Sequence, residues 1–256
     1  MSAYAVLGAT GSTGGSILQV LSATPANKIH VLVRSRSKLE KLHPSSTSNP
    51  NITAFEGSIS NADNLARCLT GVKAAFLCVA ASDNIPECTI AQDTARAVVS
   101  ALEVLRKQDA KFKPPRLVVL SSASLDDKFW VGIPSLVHKM LFAAMYYVYT
   151  DLQKAEAFLS QHEDWLTITH VMPGGISHDV QRGHKLSATE QQTFVSFLDV
   201  AAGMIEAADD ERWDGTHVCV VGSSGQKARL PWEAPVVLSK GLFVYCFPWM
   251  YKYIPF

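Results

Sequence analysis

The chain contains 256 residues, of which 48% are hydrophobic and 18% are charged. This composition excludes an intrinsically disordered protein, and the length allows one large α/β domain with a sizeable buried core. Lysine plus arginine and aspartate plus glutamate both number 23, so the chain has no basic excess that would attract nucleic acid. Small molecules are therefore the expected partners, and no nucleic acid is expected.

The five cysteines are widely spaced and form no Cys-x-x-Cys motif, which indicates a reducing compartment. The first residues lead at once into an apolar strand, without the charged segment, apolar run and cleavage site of a secretory signal. We therefore expect a cytoplasmic protein. The eight histidines show no His-Glu-x-x-His pattern and no pairing with cysteine at metal-ligand spacing, so no metal site is expected.

Apolar, β-branched runs alternate along the chain with segments of helical periodicity. The predicted strands are Tyr4–Leu7, Ile29–Val33, Ile52–Phe55, Ala74–Val79, Leu117–Leu120, Thr167–Val171 and His217–Val221. Among the intervening helices, a long one is predicted over Pro134–Leu159, and Asp199 is predicted to cap another over Val200–Ile205. This alternation predicts a Rossmann-type α/β fold, a doubly wound parallel sheet with helices on both faces.

A glycine-rich turn joins the first predicted strand to the first predicted helix. Its three glycines follow a G-x-x-G-x-x-G pattern. The first permits a sharp exit from the strand, the second lets the backbone approach a ligand, and the third lets the helix pack close to the sheet. The positive end of the helix then faces the phosphates of a dinucleotide. The predicted cofactor contacts in this turn are Gly8, Thr10, Gly11, Ser12, Thr13 and Gly14.

The end of the second predicted strand indicates which dinucleotide is bound. NAD-dependent proteins usually place an acid there, which bonds the ribose 2′-hydroxyl. Here the strand is followed by two arginines, and the first acid is Glu40. Because a guanidinium binds a phosphate through two hydrogen bonds, Arg34 and Arg36 favour NADP(H). The alternative is that Arg36 and Lys38 only begin a solvated helix.

Several segments together resemble an atypical short-chain dehydrogenase/reductase, and more narrowly the NmrA-like NAD(P)-binding group. That group includes small reductase-like proteins of fungal secondary-metabolite pathways. The resemblance covers roughly residues 3 to 222. It rests on the segments GATGSTGG, VRSRSKL, EGS, LSSAS, DLQKAE, DWLTI and PGG.

The resemblance implies further cofactor contacts at the ends of later strands. The adenine would be flanked by Ser58 and Ile59. The ribose and pyrophosphate would be lined by Val79, Ala80 and Ala81. The nicotinamide carboxamide would be approached by Pro173, Gly174 and Gly175.

The catalytic set departs from the pattern of the superfamily. Typical members combine a serine after the fifth strand with Tyr-x-x-x-Lys on the next helix, where the lysine lowers the pKa of the tyrosine. Here Thr150 stands four residues before Lys154, and Tyr149 is displaced by one position, or about 100° around a helix. The predicted catalytic residues are Lys154, Tyr149 and Ser122. Lys154 would also bond the nicotinamide ribose.

Three interpretations of this set stay open. In the first, Lys154 holds the cofactor while Tyr149, Tyr146 or Ser122 donates the proton. In the second, substrate or water supplies the proton, and in the third the redox chemistry is lost. His178 lies in the segment where this fold places a substrate lid, and it is either a substrate-polarising group or a surface histidine.

Two apolar, aromatic segments bear on the substrate and on partners. Residues 141–149 form a helix surface that suits core and dimer packing or a hydrophobic substrate pocket. The stretch 234–256 carries only Lys240 and Lys252 as charges, but Pro248 makes it a poor membrane-spanning helix. It is expected to dock over the cleft, to form a homodimer interface, or to touch a membrane peripherally.

We interpret residues 1–256 as a single NAD(P)-binding Rossmann domain. Residues 176–198 and 223–256 are expected to form a small substrate-cleft region, as a lid and an apolar C-terminal segment. The leading hypothesis is an NADP(H)-dependent oxidoreductase acting on a carbonyl or activated C=C of a hydrophobic molecule, such as a secondary-metabolite intermediate. The alternatives are a non-redox isomerase or cyclase that retains the dinucleotide, and an NADP(H)-sensing regulatory protein.

Overall fold

A computed structural model describes residues 2–132, 134–223, 225 and 228–253, with residues 46 and 47 described by their backbone alone. The strands are β1 (Ala3–Leu7), β2 (Lys28–Val33), β3 (Ile52–Glu56), β4 (Ala74–Leu77), β5 (Arg116–Leu120), β6 (Ile168–Val171), β7 (Ile176–Ser177), β8 (His184–Ser187), β9 (Val195–Ser196) and β10 (His217–Gly222). The α-helices are α1 (Ser12–Ser22), α2 (Arg36–Leu42), α3 (Ser45–Ser48), α4 (Ala62–Leu69), α5 (Ile90–Gln108), α6 (Ser135–Ala144), α7 (Tyr146–Leu159), α8 (Phe197–Asp209) and α9 (Ala234–Cys246). Short 3₁₀ helices cover Ala123–Leu125, Asp127–Trp130, Ser160–His162, Glu211–Trp213 and Pro248–Tyr253.

Eight of these strands form one sheet in the order β3-β2-β1-β4-β5-β6-β10-β8. Neighbouring strands are parallel from β3 to β10, and only the edge strand β8 runs antiparallel, beside β10. The strands β7 and β9 form a separate parallel pair. This topology confirms the predicted Rossmann-type α/β fold in a single domain.

The sheet is covered on both faces, which explains why its strands are continuous apolar runs. On one face, Val6, Val31 and Val118 pack with residues of α1 and α8. On the other face, apolar residues of β1, β4 and β5 pack with α4, α5 and α7. The two layers hold the carboxyl ends of the parallel strands at one open edge, where the candidate site lies.

The structure corrects two of the predicted helices. The helix predicted over Pro134–Leu159 is divided at Met145, because the side chain of Asn84 accepts the N–H of Tyr147 at 2.8 Å and so begins α7 there. The helix predicted over Val200–Ile205 extends over α8, and its N-cap is Ser196 instead of Asp199. The Ser196 hydroxyl accepts the Asp199 N–H at 3.0 Å and donates to the Asp199 carboxylate at 2.7 Å.

Candidate active site

The candidate site lies where the strand order reverses, between the carboxyl ends of β1 and β4. In open α/β sheets this crevice is where ligands bind, because the loops after the two strands diverge to opposite faces. The loop after β1 is the glycine-rich turn, and the loop after β4 begins with Cys78, whose N–H donates to Leu7 at 3.0 Å. The two loops therefore start next to each other at the edge of the sheet before they diverge.

The glycine-rich turn has the geometry of a phosphate cradle. Gly8 has a φ of +95°, and a Cβ there would lie 2.5 Å from the carbonyl oxygen of Cys78. A Cβ on Gly14 would collide with the Gly8 carbonyl group and lie 3.0 Å from the Ala9 nitrogen. Gly11 caps α1 without a side-chain hydrogen bond, and Gly11 and Ser12 are exposed. The first N–H groups of α1 are thus left for a ligand, and the turn fits a dinucleotide diphosphate.

The glycine-rich turn is also contacted by a histidine that was not anticipated from the sequence. A Cβ on Gly15 would lie 2.8 Å from Nε2 of His43, which follows α2. Burial lowers the pKa of His43, although its hydrogen bond with the backbone of Ala9 acts in the opposite direction. His43 therefore packs against the turn in surroundings that favour its neutral form. It begins the polar stretch HPSSTSNPN, in which no local pattern points to a contact with the glycine-rich turn.

The two predicted 2′-phosphate ligands lie at the end of β2. Arg34 and Arg36 are exposed, and in the described part of the chain neither guanidinium takes part in an ion pair. Ser35 caps α2 by accepting the N–H of Lys38 at 3.2 Å. Glu56, at the end of the neighbouring β3, was not anticipated from the sequence, and its Oε1 accepts the Arg36 N–H at 3.1 Å. One oxygen of this carboxylate is therefore already engaged by the backbone.

The contacts implied by the resemblance lie at the same edge of the sheet. Ser58 is exposed beyond β3, and its hydroxyl is 2.5 Å from that of Ser60. Beyond β4, Val79 and Ala81 are half-buried against the core, while Ala80 is exposed. Val79 borders the glycine-rich turn, since a Cβ on Gly8 would lie 3.3 Å from its Cγ2, and the cofactor contacts of the other residues stay predictions.

The third implied segment is more enclosed. Pro173 is buried, and its carbonyl oxygen accepts the Ala123 N–H at 3.0 Å. A Cβ on Gly174 would lie 2.6 Å from the carbonyl oxygen of Gln192, and one on Gly175 would lie 2.5 Å from the ring of Phe194. The two glycines therefore admit the returning segment 192–194, and their predicted approach to the nicotinamide stays a prediction.

The predicted lid, 176–198, is an ordered part of the domain built from β7, β8 and β9. His178 of this segment contacts the glycine-rich turn, with its Nε2 3.4 Å from the Ser12 hydroxyl oxygen. The His178 ring also packs on Phe197, with centroids 4.5 Å apart. The lid thus reaches the turn that would hold the diphosphate. Of the predicted C-terminal segment 223–256, residues 224, 226, 227 and 254–256 lie outside the described residues.

Two serines follow β5 and differ in their hydrogen bonds. The buried Ser121 hydroxyl donates to Oε1 of Glu156 on α7. The Ser122 hydroxyl oxygen accepts the N–H of Ser124 at 3.3 Å. In the part of the chain that the structure describes, no acceptor binds the Ser122 hydroxyl proton. Ser122, which the sequence analysis selected, is therefore the serine whose proton is free for a substrate.

Helix α7 carries two of the predicted catalytic residues, Tyr149 and Lys154, and does not bring them together. Tyr149 is half-buried and packs with Phe142, with ring centroids 5.5 Å apart. Lys154 is exposed. Five residues separate them, which corresponds to about 140° around the helix. Tyr149 lies on the side of α7 that carries Glu156, whereas Lys154 lies away from it.

A buried polar cluster behind Ser121 was not anticipated from the sequence. Burial raises the pKa of Glu156, opposed by the hydrogen bond from Ser121. Oε1 of Glu156 is 3.9 Å from Nδ1 of His170, a buried atom that has no hydrogen-bond partner among the residues that the structure describes. The His170 ring lies 5.0 Å from that of His217, which is bonded to Asp126 at 2.9 Å. The cluster joins β6, β10 and α7 to Ser121 and Asp126, which lie in the loop after β5. We call this loop the candidate catalytic loop.

Comparisons with known proteins identify the family of the chain. A family model described as NAD(P)H-binding matches residues 8–211. Oxidoreductase aflX of Aspergillus parasiticus is 44% identical over 255 residues, which cover 99% of this chain and 95% of that protein. Oxidoreductase AgnL4 of Paecilomyces divaricatus is 41% identical over 258 residues, which cover 100% of this chain and 98% of that protein.

Among solved structures, a wide-type short-chain dehydrogenase/reductase of Veillonella parvula in complex with NADP has a TM-score of 0.67 at 20% identity. The superposition covers 90% of this chain and 99% of that one. At this identity the likeness concerns the fold. Both relatives, which match over nearly their whole length, are named as oxidoreductases, and they support a redox enzyme. Since the family model spans most of the sequence, from the glycine-rich turn to beyond α8, the chain belongs to the NAD(P)H-binding family.

Proposed function

We propose that the protein is an NADP(H)-dependent oxidoreductase that acts on a carbonyl group or an activated C=C of a hydrophobic small molecule. The observation that carries the proposal is the open glycine-rich turn beside Arg34 and Arg36 after β2, whose guanidinium groups form no ion pair with any described residue. The turn suits a diphosphate, and the arginines suit the additional 2′-phosphate of NADP(H). When bound, the nicotinamide supplies or accepts the hydride.

The chain's own contribution to the reaction is to position the substrate and supply a proton. The free hydroxyl proton of Ser122 can be donated to a substrate oxygen, and the phenol of Tyr149 is the second candidate donor. The proton of Ser121 is engaged by Glu156, so Ser121 holds the catalytic loop instead. The exposed Lys154 has no partner that would link it to this chemistry in the described residues.

An aromatic row supports a hydrophobic substrate. Trp130 stacks on His138, with centroids 4.2 Å apart, and His138 lies edge-on to Phe142 at 6.4 Å. Phe142 in turn packs with Tyr149. Since Nε1 of Trp130 also donates to the carbonyl oxygen of Ala123 at 2.8 Å, the row begins directly beside Ser122. Aromatic faces at this position favour a flat, apolar ligand.

The cofactor is tested by titrating NADPH and NADH into the parent protein and into Arg34→Gln and Arg36→Gln. We expect the parent to bind NADPH more tightly, and each variant to bind it about tenfold to a hundredfold more weakly with little change for NADH. Lys28→Gln is the matched control, because it removes a positive charge from the opposite end of β2. Tighter binding of NADH by the parent would contradict the assignment of NADP(H).

The catalytic roles are tested with a panel of quinones and ketones, by following the absorbance of NADPH. With any substrate found, we compare Ser122→Ala and Tyr149→Phe. The variant that removes the proton donor should lower kcat by about 10² to 10⁴, while NADPH binding is retained. Lys154→Gln is expected to leave kcat nearly unchanged. Absence of turnover across the panel by protein that binds NADPH would count against the redox proposal.

A further inference from the structure

The exposed apolar side chains are concentrated on one part of the surface. Of the eighteen large hydrophobic residues that are exposed in the described part of the chain, fourteen lie in residues 131–146 and 230–253. These stretches contain α6, α9 and the 3₁₀ helix Pro248–Tyr253. We call α6 and α9, together with the 3₁₀ helix that follows α9, the apolar helix pair. Soluble proteins seldom leave such a concentration uncovered, so the surface calls for a partner.

The two helices of the pair are packed on each other and on the domain. A Cβ on Gly241 of α9 would collide with the carbonyl oxygen of Ala144 at the end of α6, so the backbones are in close contact. Nδ2 of Asn84 donates to the Gly241 carbonyl oxygen at 3.0 Å, and the rings of Tyr146 and Tyr245 are 5.1 Å apart. The outward apolar residues are therefore held on a fixed platform, and they include Leu136, Met140, Val236, Phe243 and Phe247.

The residue types on this platform are those of a protein that lies in a membrane interface. Trp232, Trp249 and Tyr253 are 81%, 66% and 68% exposed, and such amphipathic rings favour the level of lipid headgroups. The charged residues within α6, α9 and the 3₁₀ helix are Lys139, Lys240 and Lys252, of which Lys240 pairs with Asp83 at 3.3 Å. Residues 128–150 and 234–253 contain no Asp or Glu, and Glu233 lies only at the start of α9.

A membrane surface explains this composition better than a second copy of the chain. A two-fold interface would bring Lys139 and Lys252 of both copies into one seam, where residues 128–150 and 234–253 offer no carboxylate to pair with them. Anionic lipid supplies the missing negative charge. In the described residues no helix is long and apolar enough to cross a bilayer, so the contact would be peripheral.

We propose that the apolar helix pair docks the protein on an anionic membrane surface. The docking face is tied to the candidate catalytic loop, since Nε2 of His138 on α6 is bonded to the carbonyl oxygen of Ser124 at 3.0 Å. A hydrophobic molecule dissolved in the bilayer would then be presented beside Ser122. The docking itself does not depend on the redox activity.

The test is co-sedimentation of the full chain with vesicles of phosphatidylcholine, with and without phosphatidylserine. We expect binding to the mixed vesicles, weakened at high salt and in the double variant Lys139→Gln/Lys252→Gln. Val236→Glu with Trp249→Glu should reduce the bound fraction at least tenfold. The matched control is Val104→Glu, on α5, where Val104 is 43% exposed outside the platform. It should bind as the parent does.

Circular dichroism and NADPH titration show whether each variant is folded, independently of vesicle binding. A parent protein that ignores both kinds of vesicle would overturn the proposal. The same holds if light scattering shows a dimer that Val236→Glu with Trp249→Glu dissociates, because a second copy would then cover the platform. Failure of the redox assay alone leaves these readouts unaffected.

Discussion

Replacing His170 with glutamine should remove a large part of the protein's loss of stability in mild acid. His170 lies in β6, 3% exposed, between Glu156 and His217. Burial, helped by the charge of His217, lowers its pKa from 6.5 to about 3. The native protein therefore keeps this imidazole neutral at pH values where an unfolded chain protonates it.

The magnitude follows from proton linkage. Above pH 6.5 the ring is neutral in both the native and the unfolded states, so it adds no dependence on pH. Below that pH the unfolded chain binds a proton that the native state does not, and stability falls until about pH 3. At pH 5 the difference is about 1.5 pH units, or about 2 kcal/mol of lost unfolding free energy at 1.4 kcal/mol per unit.

The assay is urea unfolding of the parent and His170→Gln at pH 8 and pH 5, followed by circular dichroism. At pH 8 the difference between the two proteins reports packing alone, which makes it the internal control. Between pH 8 and pH 5 the parent should lose about 2 kcal/mol more than the variant. Glu156 is present in both proteins. A difference that does not change with pH would refute the reasoning.

Three further substitutions test other parts of the structure. Gly14→Ala places a Cβ against the Gly8 carbonyl group, and titration should show NADPH affinity reduced at least about tenfold with the fold retained on circular dichroism. Asp151→Ala leaves the first N–H groups of α5 without their buried acceptor, and urea unfolding should show a loss of about 3 kcal/mol. Gly241→Ala forces α9 away from Ala144, and should cost about 1–3 kcal/mol in the same assay.

The fold and the cofactor half of the site could be predicted because their signals are local. The glycine-rich turn, the strand before it and the helix after it occupy consecutive residues, and the arginines follow the next strand directly. Each feature also agrees with the others, since turn, helix and strand order all require the same parallel sheet. The departures were the short strands β7, β8 and β9, which were not predicted, and the break at Met145, where the distant Asn84 starts a new helix.

The other half of the site could not be predicted because its partners are far apart in the sequence. Ser121 and Glu156 are 35 residues apart, and nothing in either local pattern shows that they meet. Whether Nδ1 of His170 finds a hydrogen-bond partner depends on how β6 and α7 pack, and among the described residues it finds none. His43 likewise meets the glycine-rich turn only through the return of the chain after α2.

The orientation of α7 decides which residues can take part in catalysis. Asp151 accepts the N–H groups of Ala91 and Gln92 at 2.8 and 3.1 Å, and Glu156 accepts the hydroxyl of Ser121. These two carboxyl groups anchor the helix at two buried points on different sides. Turning α7 to bring Lys154 toward the loop after β5 would break both anchors and leave buried polar groups without partners. We therefore infer that hydroxyl groups on the side of Tyr149, and not the ammonium of Lys154, complete the proton transfer.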